Sequence, residues 1–97
     1  MVIRNARFYI DPETGLPHIY SHQVTEEEVE EVLDRPGEDR QGHEGARVAI
    51  GQTVEGRYLR VIYVPEPEVG SIFVITAYEL GGKALTAYRR RKRRRQK

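Results

Sequence analysis

The sequence GRYLRVIYV at residues 56–64, followed by SIFVITAY at residues 71–78, decides the fold of this chain. Both runs are rich in β-branched and aromatic residues, which favour strands. The intervening PEPEVG at residues 65–70 contains two prolines and a glycine, so it cannot continue a strand. We therefore predict an antiparallel hairpin with a loop of about five or six residues. The second run is apolar on both faces, which is typical of a strand inside a sheet.

A capped helix precedes the hairpin. Thr25 and Glu28 have the spacing of a capping box, in which each side chain bonds the backbone N–H of the other residue. Apolar residues then recur at helical spacing, at Val29, Val32 and Leu33. A Pro-Gly pair follows, so the pattern predicts a helix over about 25–34. A helix this short is unstable alone, and its apolar stripe must therefore pack on the sheet.

The rest of the chain completes a small domain. Alternating residues predict a strand at 46–51, after a polar loop at 38–45, and a C-terminal helix begins after Gly81 and Gly82. Near the N-terminus, residues 6–10 are expected to form a short strand that ends in a turn. Residues 16–20 could return as a second strand, but the sequence leaves strand, helix and loop open over residues 12–20. The fold class is therefore α+β: a single domain over residues 1–88, with an antiparallel sheet of three to five strands and two helices packed on it.

Composition excludes several classes of site. The chain has no cysteine, which rules out disulfides and thiol catalysis. Its three histidines lack metal-ligand spacing, so we expect no metal and no cofactor. No apolar run approaches the roughly 18 residues that a membrane span needs, and the N-terminus lacks a signal-peptide pattern. These features predict a cytoplasmic protein without membrane contact, and they leave its oligomeric state open.

The charge is divided sharply along the sequence. Residues 1–88 hold eight basic and fifteen acidic side chains, a net charge of −7, whereas residues 89–97 hold eight basic side chains and no acid. We predict that this polybasic tail is disordered beyond about Arg91 and that it contacts nucleic-acid phosphates. The alternatives are a clasp onto the acidic helix, an anchor for an acidic partner, or a solubilising end.

A family resemblance runs from about Asp11 to Tyr88. It rests on Asp11 with His22-x-Val24-Thr25-x-Glu27, on Asp34-Arg35-Pro36, on Arg47, and on Gly51 with Gly56-Arg57-x-Leu59-x-Val61-x-Tyr63 and Ile75-Thr76-Ala77. This order resembles the BrnT-like toxins of bacterial type II toxin–antitoxin systems. It also resembles an uncharacterised sister family whose last strand ends in Val/Ile-Thr-x-Tyr. The resemblance implies a RelE-like fold, ribonuclease activity and an antitoxin protein as partner.

Candidate site residues follow from the chemistry of a metal-independent ribonuclease. Such an enzyme needs a base for the 2′-hydroxyl proton, an acid for the leaving oxygen, and cations for the phosphate. The predicted catalytic residues are His22, Arg47 and Tyr78. The predicted nucleic-acid-binding residues are Arg57, Arg60, Lys83, Arg89, Arg90 and Arg91.

The first three arginines of this set come from neighbouring strands. Arg47, Arg57 and Arg60 could cluster on the sheet face that the capped helix leaves open, where they would form an anion site. The sequence does not determine whether they and Tyr78 share one face. Structural roles are the alternative for each candidate. His22 would then fix its loop and Tyr78 would cap the core. The arginines would be solvated or would pair with Glu55 or Glu79.

Two functional hypotheses result. The first is a toxin-like domain that acts on RNA, either as a ribonuclease or as an RNA-binding protein, paired with an antitoxin. The second is an accessory module without catalysis that binds nucleic acid or a protein partner. The acidic body favours the second hypothesis, because a ribonuclease is expected to be basic around its site. The polybasic tail partly offsets that argument.

Overall fold

The computed structural model describes residues 5–95 and confirms an α+β fold. The described residues form five strands, two α-helices and one short 3₁₀ helix. In chain order these elements are β1 Asn5–Phe8, the 3₁₀ helix His18–His22, α1 Glu26–Asp34, β2 Glu38–Gln41, β3 Arg47–Gln52, β4 Tyr58–Pro65, β5 Ser71–Glu79 and α2 Gly82–Arg95. The strands form one sheet in the order β1-β5-β4-β3-β2. Because β1 runs parallel to β5, the sheet is mixed and not purely antiparallel as predicted.

The predicted hairpin forms the middle of the sheet. Strands β4 and β5 are antiparallel and joined by a loop of five residues, and β5 has a neighbour on each side. The register shifts between Ile62 and Tyr63, whose partners are Thr76 and Val74. Ile75 is therefore an extra residue in β5, a bulge of the kind that bends a strand locally.

Two flanking segments differ from the strand and the loop that the sequence suggests for them. Residues 16–20 make only one strand-like bridge, between Ile10 and Pro17, and then enter the 3₁₀ helix. Pro17 has no N–H to continue a ladder, whereas its carbonyl accepts a bond from Tyr20 N–H at 3.0 Å, which favours the helical turn. The expected loop at 38–45 instead contains strand β2, because its backbone pairs with the edge of β3 even though its side chains are polar.

Helix α1 covers one face of the sheet, which we call the α1 face. The capping box is present as predicted: Thr25 Oγ1 accepts from Glu28 N–H at 3.2 Å, and Glu28 accepts from Thr25 N–H at 3.0 Å. The helix buries Val29, Val32 and Leu33. These side chains pack with the 3₁₀ helix on sheet residues that include Ala49, Leu59, Val61, Ile72 and Val74.

Helix α2 covers part of the opposite face, which we call the α2 face. A smaller cluster of Ile50, Leu80 and Tyr88, with Tyr58 beside it, holds this helix on the sheet. The helix runs through Arg95, although the sequence predicts disorder beyond about Arg91. Arginine and lysine are good helix formers, and their charges complement the negative end of the helix dipole. Within the described range, neither helix is long and apolar enough to cross a membrane.

Candidate nucleic-acid interface

The two sheet faces separate the arginines that the sequence groups together. Along β4, Leu59, Val61 and Tyr63 belong to the core of the α1 face, whereas Tyr58 packs with α2. Arg60 therefore lies on the α2 face, because side chains alternate along a strand. Arg47 is the cross-strand partner of Tyr63 and lies on the α1 face. The three arginines therefore do not form the cluster on one face that the sequence leaves possible.

Arg47 belongs to a polar network at the edge of the α1 face. Its Nε donates to Asp39 Oδ1 at 2.9 Å, and the Tyr63 hydroxyl donates to Asp39 Oδ2 at 2.6 Å. Burial, together with the Asp39 carboxylate, raises the pKa of Tyr63 to about 12. The guanidinium of Arg47 is thus engaged with a carboxylate, and this placement gives no support to its predicted catalytic role.

Arg57 is held even more firmly on the same face. Its Nη1 lies 2.9 Å from both carboxylate oxygens of Glu28 and donates to the carbonyl of Gln23 at 2.9 Å. Nη2 also reaches Glu79 at 3.4 Å. Arg57 therefore ties the capped end of α1 to the start of β4 and the end of β5. Its predicted part in nucleic-acid binding stays a prediction, but its charge is already compensated.

Arg60, Tyr78 and His22 do come together. Arg60 and Tyr78 are cross-strand partners, and Arg60 Nη1 lies 3.5 Å from the Tyr78 hydroxyl, a weak hydrogen bond. The ring of His22 meets the ring of Tyr78 edge to face, with centroids 5.9 Å apart. Arg60 Nε and Thr76 Oγ1 are buried without a hydrogen-bond partner among residues 5–95. We call these four residues, His22, Arg60, Thr76 and Tyr78, the central patch.

A further ring contact extends the central patch toward the N-terminus. His18 and His22 meet edge to face at 5.2 Å, and His18 Nδ1 lies 3.5 Å from a carboxylate oxygen of Asp11. A strand at residues 16–20 would not predict this contact of His18 with His22. The 3₁₀ helix turns it toward His22 instead. The spacing of four residues between His18 and His22 would have predicted their contact if this segment had been assigned as helical.

Helix α2 carries the largest group of cations. Arg91 is an exception within this group, because its guanidinium makes two bonds, of 2.8 and 3.0 Å, to the buried carboxylate of Glu38. No carboxylate in the described range pairs with the others on this part of the helix, Arg89, Arg90, Lys92, Arg93 and Arg94. Lys83 is exposed six residues before Arg89, about 9 Å along the helix axis.

These cations lie on the same side of the sheet as the central patch. Arg89 stacks over Tyr58 with its Cζ 5.0 Å from the ring centroid, and Tyr58 precedes Arg60 by two residues on the same face. Two residues span about 7 Å along a strand. Tyr58, about 7 Å from Arg60 along β4, therefore links the central patch to Arg89 of α2.

Metal ligands and relatives add no further constraint. Among the described residues, no group of three or more His, Asp and Glu side chains is arranged to hold a metal ion. No family model, no curated protein and no solved structure matches this chain. The resemblance to the BrnT-like toxins therefore stays a prediction.

Proposed function

We propose that this protein binds RNA across its α2 face. The observation that carries the proposal is the group of five cations on α2 that no carboxylate of the described range neutralises, on the same face as Arg60 and Tyr78. Phosphate contacts by Arg and Lys release counterions and give affinity that depends little on sequence. The choice of RNA over DNA rests on the resemblance to toxins that act on RNA.

The acidic remainder of the protein restricts this binding to one face. On the α1 face the arginines are already paired with Glu28 and Asp39, and the exposed side of α1 adds more carboxylates. RNA phosphates are therefore repelled from the α1 face and attracted to α2. This distribution removes the objection that a net charge of −7 over residues 1–88 raises against an RNA-binding surface.

Salt-dependent binding tests the proposal. With a labelled single-stranded RNA, the affinity of the wild-type protein should fall steeply with salt concentration. Arg90→Ala should lower the magnitude of the slope of log K against log salt by about 1. Arg35→Ala is the matched control, because Arg35 is an exposed arginine at the C-terminal end of α1, and it should leave the slope unchanged. Equal slopes in all three proteins would overturn the proposal.

A second candidate function is a metal-independent endoribonuclease of a toxin–antitoxin pair. The contact of His22 with Tyr78, and of Tyr78 with Arg60, favours it. In this proposal Arg60 holds the phosphate and His22 takes the 2′-hydroxyl proton as that oxygen attacks phosphorus. Tyr78 donates a proton to the departing 5′-oxygen, which leaves a 2′,3′-cyclic phosphate. An antitoxin partner would block the activity by covering the α2 face.

Cleavage of RNA in the presence of EDTA tests this second candidate. His22→Gln, Tyr78→Phe and Arg60→Met should each lower the rate by about 100-fold or more. His43→Gln is the control, because His43 is exposed in the turn between β2 and β3, and it should retain full activity. RNA that the wild-type protein binds but leaves intact would refute the ribonuclease and leave the binding proposal standing.

A further inference from the structure

A groove on the α2 face lies between α2 and the β3–β4 hairpin. It has a volume of about 240 Å³ and is lined by Gln52, Tyr58, Tyr88, Arg89, Lys92 and Arg93. Two aromatic rings thus stand beside three cations. The sequence shows no such association, because Tyr58 is 31 positions from Arg89 and the tail itself contains no aromatic residue.

Tyr58 is a fixed aromatic surface within this groove. Its ring is half-buried and meets the buried ring of Tyr88 edge to face at 6.0 Å. The guanidinium of Arg89 covers the ring at 5.0 Å. A nucleobase can take the place of that guanidinium, because base–aromatic stacking is stronger than an exposed cation–π contact. Arg89 would then be released to contact the phosphate backbone.

Two further cations flank the same groove. Lys92 Nζ lies 5.9 Å from the centroid of the Tyr88 ring, and Arg93 is exposed at the groove margin. Gln52 closes the other side, with its amide held by a 3.1 Å hydrogen bond to the carbonyl of Gly56. An aromatic surface for a base and neighbouring cations for its phosphates are the two requirements of a single-strand binding site.

We infer that this groove binds one unstacked nucleotide of single-stranded RNA, with the base on Tyr58 and the adjoining phosphates on Lys92 and Arg93. The inference rests on the proposed RNA binding and adds a preference for single strands. A duplex satisfies the cations but keeps its bases stacked on one another, so it gains nothing from Tyr58.

Three probes of 12 nucleotides separate the contribution of the base from that of the phosphates: oligo(U), an abasic ribose-phosphate oligomer of the same length, and a 12-bp RNA duplex. The wild-type protein should bind oligo(U) about ten-fold more tightly than the abasic oligomer. In Tyr58→Leu, the affinity for oligo(U) should fall to that for the abasic oligomer. Tyr58→Phe keeps the ring and should behave as the wild type does.

Binding of the abasic oligomer by Tyr58→Leu also serves as a folding control. It should match the wild type, with the same salt slope, because the cations of α2 are still in place. An oligo(U) preference that survives in Tyr58→Leu, equal loss for both oligomers, or equal wild-type affinity for all three probes would overturn the groove site alone. A wild-type protein that binds none of the probes would overturn the RNA-binding proposal itself.

Discussion

Three arginines on or beside strands β3 and β4 differ in their contacts: Arg47 and Arg57 lie on the α1 face, and Arg60 lies on the α2 face. On the α1 face, Arg47 and Arg57 contact the carboxylates of Asp39 and Glu28 at hydrogen-bond distance. On the α2 face, the hydrogen bond found for the Arg60 side chain within residues 5–95 is a weak one to the Tyr78 hydroxyl. The difference arises because α1 and β2 place carboxylates beside Arg57 and Arg47, whereas no carboxylate of the described residues lies within ion-pair distance of Arg60. Arg47 and Arg57 therefore stabilise the fold, whereas Arg60 remains available to an anion. The face alone does not decide this, because Arg7 and Arg40 lie on the same face as Arg60 and pair with Glu66 and Glu38.

The largest expected effect is a loss of stability when a hydrophobic residue of β4 is shortened on the α1 face, compared with the same change on the α2 face. Leu59→Ala, at a fully buried position of the α1 face, should lower the free energy of unfolding by about 3 kcal/mol. Ile62→Ala, at a half-buried position of the α2 face, should cost about 1 kcal/mol. Urea denaturation of both variants measures the two values. Equal losses of stability in the two variants would mean that both faces are equally well packed and would contradict the prediction.

The next effect contrasts two arginines. Arg57→Met should lower the free energy of unfolding by about 2 kcal/mol, because it leaves the partly buried carboxylate of Glu28 and the carbonyl of Gln23 without this donor. Arg60→Met keeps the aliphatic stem and should change it by less than about 0.5 kcal/mol. Thermal and urea unfolding check both values. A loss of stability in Arg60→Met as large as that in Arg57→Met would contradict the difference in contacts between the two arginines.

A smaller effect on stability distinguishes Arg91 from its neighbour Arg90 on α2. Arg91→Met should cost about 1 kcal/mol of stability, because it removes two hydrogen bonds to the buried Glu38 carboxylate while Arg91 itself is partly exposed. Arg90→Met should leave stability unchanged and weaken only RNA binding. Parallel denaturation and binding titrations would distinguish the structural cation from the available one. A stability loss confined to Arg90→Met would reverse the assignment.

The smallest effect is a pH dependence of folding stability that arises from Glu28 on the α1 face. Burial acts to raise the pKa of Glu28, but bonds from Thr25 N–H and Arg57 outweigh it and hold the pKa below the usual value. A depressed carboxyl pKa contributes stability above the unfolded pKa, about 4.3 for Glu, which is lost as the pH falls through the folded pKa. The stability gap between wild type and Arg57→Met should therefore be largest at pH 7.

Unfolding measured at pH 7, 5 and 3 tests this dependence. The gap should narrow between pH 5 and pH 3, whereas the gap between wild type and Arg60→Met should stay constant. A wild-type to Arg57→Met gap that is the same at pH 3 as at pH 7 would show that the charge of Glu28 contributes nothing to the effect of Arg57.

The sequence predicts those elements that depend on residues close together in the chain. The capping box at Thr25 and Glu28 and the hairpin over 56–78 depend on residues within a few positions of one another, and both are found in the structure. Strand β2 and the parallel pairing of β1 have no such signal. The four residues of β2 are polar, and only the edge of β3 makes them a strand. The 3₁₀ helix likewise replaces the second strand that residues 16–20 could have formed.

The composition of the candidate site was only partly predictable. His22, Arg60 and Tyr78 were identified from motif and chemistry, and the fold brings them together. The sequence groups Arg47 and Arg57 with Arg60 because the three come from neighbouring strands. The positions of Arg47 and Arg57 on the other face depend on strand register and on the carboxylates of α1 and β2, which distant residues contribute.

The sequence by itself determined the hairpin, the capped helix and the separation of an acidic body from a basic C-terminal segment, because each depends on local propensity or simple charge count. The tertiary structure alone decided which cations remain available. It paired Arg91 with Glu38, Arg57 with Glu28 and Arg47 with Asp39, and it placed Tyr58 beside Arg89. Such contacts join residues far apart in the chain, and only the packing of both helices on the sheet fixes them.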